Sequence, residues 1–209
     1  VGCFDDNDLA PNEVISPNEE INNIVCGDSL MFDYKDQQGC DGQYYNDPNI
    51  LEYIIPLYAG TKFKMGLSNC SSSYHAAGNP DQYAYDFDLP EGSIFTAAKP
   101  GVVTKIVEDQ SSFGGGVGNY VVIDHEDATF GLYYHSPKDG ITVKEGDRVG
   151  YGEKLGLIGR SGLAGYPHLH FIVTKGDYAY PFKSIPVSFS NVSPPTVVLE
   201  SFATYEACW

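Results

Sequence analysis

Between Tyr83 and Thr174 the chain falls into short apolar-rich runs, each closed by glycine, proline, aspartate or asparagine. That spacing leaves little room for long helices. Tyr83-Ala84-Tyr85-Asp86-Phe87-Asp88 alternates strictly. As a strand it sets Tyr83, Tyr85 and Phe87 on one face and Ala84, Asp86 and Asp88 on the other. Pro90-Glu91-Gly92 then turns the chain. Strands are expected at residues 94–98, 101–108, 120–125 and 130–135, with shorter pieces at Val149 and 155–158 among glycines. The last strong strand is expected at 168–174. Short strands at this spacing predict a mainly β fold, an antiparallel β-sandwich or barrel-like core. Before it, residues 51–57 read as a lead-in strand and 68–73 as a polar loop that delivers His75. After it, strands are expected at 187–189 and 197–202.

Residues 1–50 show no sustained period and are rich in Asn, Asp, Pro and Gly. They predict an irregular extension tied down by cysteines, with one domain over residues 51–209. The charge is uneven. Residues 1–53 hold 12 Asp and Glu against Lys35 alone, so −11 of the net −16 lies there. A protein this acidic is a poor partner for nucleic acid or an anionic membrane. No run approaches the roughly 20 apolar residues that span a bilayer. With no initiator Met and no leader-type stretch, the expectation is a mature or trimmed product. Cys3, Cys26, Cys40, Cys70 and Cys208 include no C-x-x-C pair, a spacing that suits disulfides in an oxidising compartment, with Cys26–Cys40 the expected local staple.

Five histidines carry most of the chemical potential. In Pro167-His168-Leu169-His170-Phe171, a strand turns His168 and His170 to one face and Leu169 and Phe171 to the other. Two imidazoles side by side suit a metal site; two exposed histidines on a half-buried strand are the plainer alternative. His135 ends a strand and is expected to share a face with Tyr133. His125 is expected to be an exposed or hydrogen-bonded strand-end residue. Asp86 sits between Tyr85 and Phe87, where an unpaired carboxylate is costly to bury and a divalent cation would offset the cost. A catalytic zinc takes three protein ligands and keeps one position open. His75, Asp86 and His170 would furnish that set, leaving His135 and His168 to move protons. There is no H-E-x-x-H and no G-x-S-x-G. Gly114-Gly115-Gly116-Val117-Gly118 lacks the Lys-Ser/Thr of a phosphate loop.

From about Tyr53 to Tyr205 the sequence resembles the β-lytic zinc metallopeptidases, the lysostaphin and LytM group. The matching pieces are Ser73-Tyr74-His75, Tyr83 to Gly92, Ala97 to Val103, Gly118 to Ile123, Tyr133-Tyr134-His135, Val143 to Val149 and His168-Leu169-His170-Phe171. The resemblance implies one zinc per chain in a cleft ringed by long loops, with His75, Asp86 and His170 as ligands and His135 and His168 as catalytic residues. It departs from the short family motif in having Gln82 four residues before Asp86, with His75 standing in from further upstream. It further implies a secreted or periplasmic monomer that cuts peptide bonds of peptidoglycan cross-bridges or stems, with cleavage of other glycine-rich proteins left open. The alternative is a non-catalytic wall-binding or regulatory module on the same fold, which retention of all five residues disfavours.

Overall fold

The computed structural model describes residues 37–111 and 113–208. Among these residues, eleven strands form two antiparallel sheets. In chain order they are β1 (Lys62–Met65), β2 (Tyr85–Asp88), β3 (Ile94–Thr96), β4 (Gly101–Val107), β5 (Asn119–Asp124) and β6 (Thr129–Ser136). Then follow β7 (Arg148–Val149), β8 (Lys154–Leu157), β9 (His168–Lys175), β10 (Val192–Ser193) and β11 (Thr204–Ala207). Nine strands make one sheet in the order β10-β11-β1-β2-β9-β6-β5-β4-β7, and β3 pairs with β8 in a second. The expected antiparallel β core is present, with a single 3₁₀ turn at Ser73–His75 as its helical element among the described residues.

The alternation read in the sequence decides which face is buried. Tyr85 and Phe87 of β2 and Leu169, Phe171 and Val173 of β9 enter the main core with Tyr133 of β6. The small sheet closes over this face: Phe95 of β3 stacks on Tyr133 with ring centroids 5.9 Å apart, and Leu155 of β8 joins the same cluster. The opposite face carries a smaller cluster of Ala84, Val122, Leu132, Ile172 and Phe182. With apolar side chains on both faces, the central strands are buried on both sides, and at about 25 cal/mol per Å² of apolar area this burial is what holds the sheet.

Three expectations are corrected. Residues 53–57 are buried but form no strand, because their backbone bonds are divided. Ile54 N–H donates to Ala98 O (2.9 Å), whereas Ile55 N–H donates to the Asn191 side chain (2.6 Å). No ladder can run along a segment whose partners alternate between two neighbours. The tail strands expected at 187–189 and 197–202 are absent for a related reason. Side chains occupy their backbone groups: Asn46 accepts from Ser188 N, Tyr85 donates to Val187 O, Ser68 donates to Leu199 O and Tyr205 accepts from Glu200 N. Cys40 pairs with Cys70 rather than with Cys26, the Cα atoms 5.8 Å apart, so this bridge ties residues 37–50 to the domain instead of closing a local loop. The expectation for residues 1–36 lies outside the described residues. Of the described residues, no helix is long and apolar enough to cross a membrane.

Candidate functional site

Strand register builds most of the site. In the β2–β9 ladder Asp86 faces His170 and Asp88 faces His168, and in the β6–β9 ladder Tyr134 faces His170. Directly opposed residues on one face of a sheet bring their side chains together. Asp86 and His170 therefore meet from adjacent strands, with His170 Nδ1 2.9 Å from Asp86 Oδ1. His168, two residues earlier on the same face, puts its Nε2 3.7 Å from the same oxygen. His75 arrives from the 3₁₀ turn and sets its Nε2 3.3 Å from it.

His135 reaches the cluster by leaving the pattern. At the end of β6 it has φ of 75°, a left-handed conformation that a non-glycine residue adopts at a cost. The kink removes it from the face of Tyr133, which packs in the core, and sets its ring 4.7 Å from His168 and 5.8 Å from His170. The expected shared face with Tyr133 is thus overturned by one backbone dihedral. A buried polar network fixes the kink. His135 Nδ1–H donates to Ser161 O (2.8 Å), Ser161 Oγ–H donates to Ser136 O (2.6 Å), and Asn119 donates from its backbone to Ser161 Oγ (2.8 Å) and from its amide to Ser136 O (3.0 Å). Gly118, with φ of +87°, lies where a Cβ would come within 2.7 Å of Ser161 O, so glycine is required there.

The hydrogen bonds assign the histidine tautomers. A carbonyl only accepts, so Nδ1–H is the donor in His75 to Ser68 O (3.2 Å), in His135 to Ser161 O and in His168 to Tyr166 O (2.8 Å). Each Nε2 lone pair then points into the cluster. His75 Nε2 and Asp86 Oδ1 are two acceptors face to face, an arrangement that needs a proton or a cation between them. Burial alone would raise Asp86, but the imidazoles of His170 and His75 beside it hold it well below the usual carboxylate range. Burial would lower His170, yet the flanking carboxylates of Asp81 and Asp86 push it up to about 9. Burial drives His135 down to about 3, reinforced by His170 and His168, and burial lowers His168 as well.

Two triads place one ligand atom from each member within 4.8 Å of the others: His75, Asp86 and His170, and His135, His168 and His170. The donor set fits a metal. Both triads combine buried imidazole with open lone pairs, and the first adds a buried carboxylate that supplies negative charge. All five residues singled out in the sequence converge here; His125 does not, lying beyond β5 with Nδ1–H donating to Pro100 O (2.8 Å). The sequence reading missed Asp81, whose Oδ1 stands 3.6 Å from His170 Nε2 on the side away from Asp86. It also missed Tyr166, with its ring 4.7 Å from His168, and the Asn119–Ser161 network. Asp81 carries no motif, so only the fold reveals it.

The fold and site together define an antiparallel β protein with a largely buried four-histidine, one-aspartate centre equipped to hold a divalent metal. The model of peptidase family M23 matches residues 81–181. Lipoprotein NlpD of Yersinia enterocolitica is 33% identical over 73 residues, an alignment that covers 34% of this chain and 72% of that protein. The chain belongs to peptidase family M23. Peptidoglycan DD-endopeptidase ShyA of Vibrio cholerae is 35% identical over 92 residues, 44% of this chain, which spans only 20% of that relative's length. Among solved structures, the catalytic domain of the prophage-encoded M23 protein EnpA from Enterococcus faecalis is 24% identical, with a TM-score of 0.49, covering 64% of this chain and 94% of that one.

Proposed function

We propose that this chain is a secreted or periplasmic zinc metalloendopeptidase that hydrolyses peptide bonds in peptidoglycan cross-bridges or stems, acting as a monomer, with residues 1–50 as an accessory extension. The observation that carries the reading is the convergence of His75, Asp86 and His170 with His135 and His168 beside them. In this reading His75 Nε2, Asp86 Oδ1 and His170 Nδ1 hold the metal. Bound there, zinc supplies a Lewis acid that polarises the scissile carbonyl and lowers the pKa of water from about 16 to about 7.

The protein's own part is proton movement and orientation. His135 and His168 are neutral at pH 7 because burial lowers both, and each presents an Nε2 lone pair while its Nδ1–H is held by a carbonyl. One accepts a proton from the attacking water at Nε2, and the same kind of nitrogen returns a proton to the leaving amine. The fixed carbonyl partners keep both rings oriented, so neither has to be reorganised during the reaction. Tyr134, whose ring lies 5.6 Å from His170, would in this reading hydrogen-bond the developing oxyanion.

The test is digestion of purified peptidoglycans of several cross-bridge types by the zinc-loaded protein, with fragments identified by mass spectrometry. Cleavage at one bond type, abolished by a chelator and restored by zinc, is expected. Binding to the polymer without any new amine ends would instead identify a wall-binding module.

A further inference from the structure

The loop that delivers His75 is anchored where Ser68 and Asn69 are buried and hydrogen-bonded, but the stretch next to His75 has little of its own to hold it. Residues 71–74 are exposed, His75 is buried, and a stretch that buries so little apolar surface opens easily. A segment outside every strand closes it instead. Cys40 is bonded to Cys70, five residues before His75. The neighbouring Asp41 accepts hydrogen bonds from the Tyr83 hydroxyl and from Gln82 Nε2 (3.0 Å) at the far end of the same loop. Gly39 lies so close against the Tyr83 ring that a Cβ would overlap it. Within the loop, Cys70 N–H donates to Gln82 O (2.6 Å). The segment is itself anchored to the domain, since Asn46 accepts from Ser188 N (2.6 Å) and donates to Ser188 O (3.2 Å).

We propose that the Cys40–Cys70 disulfide and Asp41 form a clamp that holds His75 in ligating position, so that the metal affinity of the site depends on the redox state of this one disulfide. The inference rests on the reading of His75, Asp86 and His170 as metal ligands. Cys40 is exposed, so a small dithiol reaches the bond. Reduction breaks the S–S bond: two electrons and two protons pass to the cysteines, and the dithiol closes to its own disulfide. Asp81 shares the clamped stretch, one residue before Gln82, so release also loosens the carboxylate beside His170 Nε2.

The experiment compares zinc dissociation constants, by competition with a chromophoric chelator, for the native protein, Cys40→Ser/Cys70→Ser, Asp41→Asn and His75→Ala. A reductant would also open the disulfide of Cys208, so the double variant isolates the bridge in question. Asp41→Asn keeps the disulfide and covers the case in which the double variant misfolds. Loss of supporting contacts to a ligand costs roughly 10- to 100-fold in metal affinity. We expect that loss in the double variant and a smaller one in Asp41→Asn, with near-UV circular dichroism unchanged in both. Native affinity in both variants, with zinc lost from His75→Ala, overturns the clamp and leaves the ligand assignment standing. Full zinc in His75→Ala overturns the two together.

Discussion

The two flanks of the cluster are made in different ways. Asp86, His168 and His170 sit on adjacent strands whose ladder fixes their register. His75 rides on a 3₁₀ turn just after residues 71–74, which face solvent, in a loop tied down by a disulfide and one aspartate. On the first flank position follows from periodicity; on the second it follows from cross-links. The ladder flank should therefore answer to changes in the ring nitrogens themselves, and the loop flank to changes well away from them.

The largest effect that would break this comparison is loss of metal. His170→Ala and Asp86→Ala should lose zinc and activity together, and His75→Ala should join them, measured as bound zinc after dialysis. Zinc retained in His170→Ala but lost from His168→Ala would reverse the assignment. Next, His135→Ala and His168→Ala should keep near-stoichiometric zinc while turnover of a defined cross-bridge peptide falls by roughly 10² to 10⁴. Smaller again is Gly118→Ala. The left-handed backbone and the contact with Ser161 should cost about 1–3 kcal/mol, read from urea unfolding.

The smallest concerns a histidine at the opposite end of the β5–β6 hairpin. His125 is buried with Nε2 lacking a hydrogen-bond partner, and burial pushes it down to about 4 from its ordinary 6.5. Below pH 6.5 the unfolded chain takes up the proton that the folded chain refuses, so stability is full above 6.5 and is lost as pH falls towards 4. Between pH 7 and 5 this one group should cost about 2 kcal/mol. His125→Asn, which keeps a donor towards Pro100 O, should lose that much less over the same interval. An identical pH dependence in both proteins would show that His125 is not the group responsible. Zinc content and activity should be unchanged in this variant.

Periodicity made β9 and β2 legible, because alternation alone sends Phe87, Leu169 and Phe171 inward and leaves Asp86, His168 and His170 on the other face. It also misplaced His135, since no pattern in Tyr133-Tyr134-His135 announces a left-handed residue at the strand's end. β1 was overlooked although Lys62-Phe63-Lys64-Met65 alternates, because four residues with two lysines carry too weak a signal beside longer runs. Residues 53–57 erred the other way, apolar enough for a strand but bonded to two neighbours at once. His75 was reached through the scarcity of histidines and the three-ligand need of a catalytic zinc, and not through any local period. The partner of Cys40 was out of reach, since cysteine spacing does not determine connectivity.

The central place of β9 has one more consequence. At His170 and Phe171 the strand is flanked by β2 on one side and β6 on the other, so freeing that backbone means parting the middle of the sheet. Native-state hydrogen exchange at these amides should therefore occur only through global unfolding, while the amides of residues 71–75 exchange through a far cheaper local opening. A cation held between His75 and His170 would escape by the cheaper route. Its residence time would report the breathing of one loop, and irreversible heat inactivation would report the lifetime of the sheet.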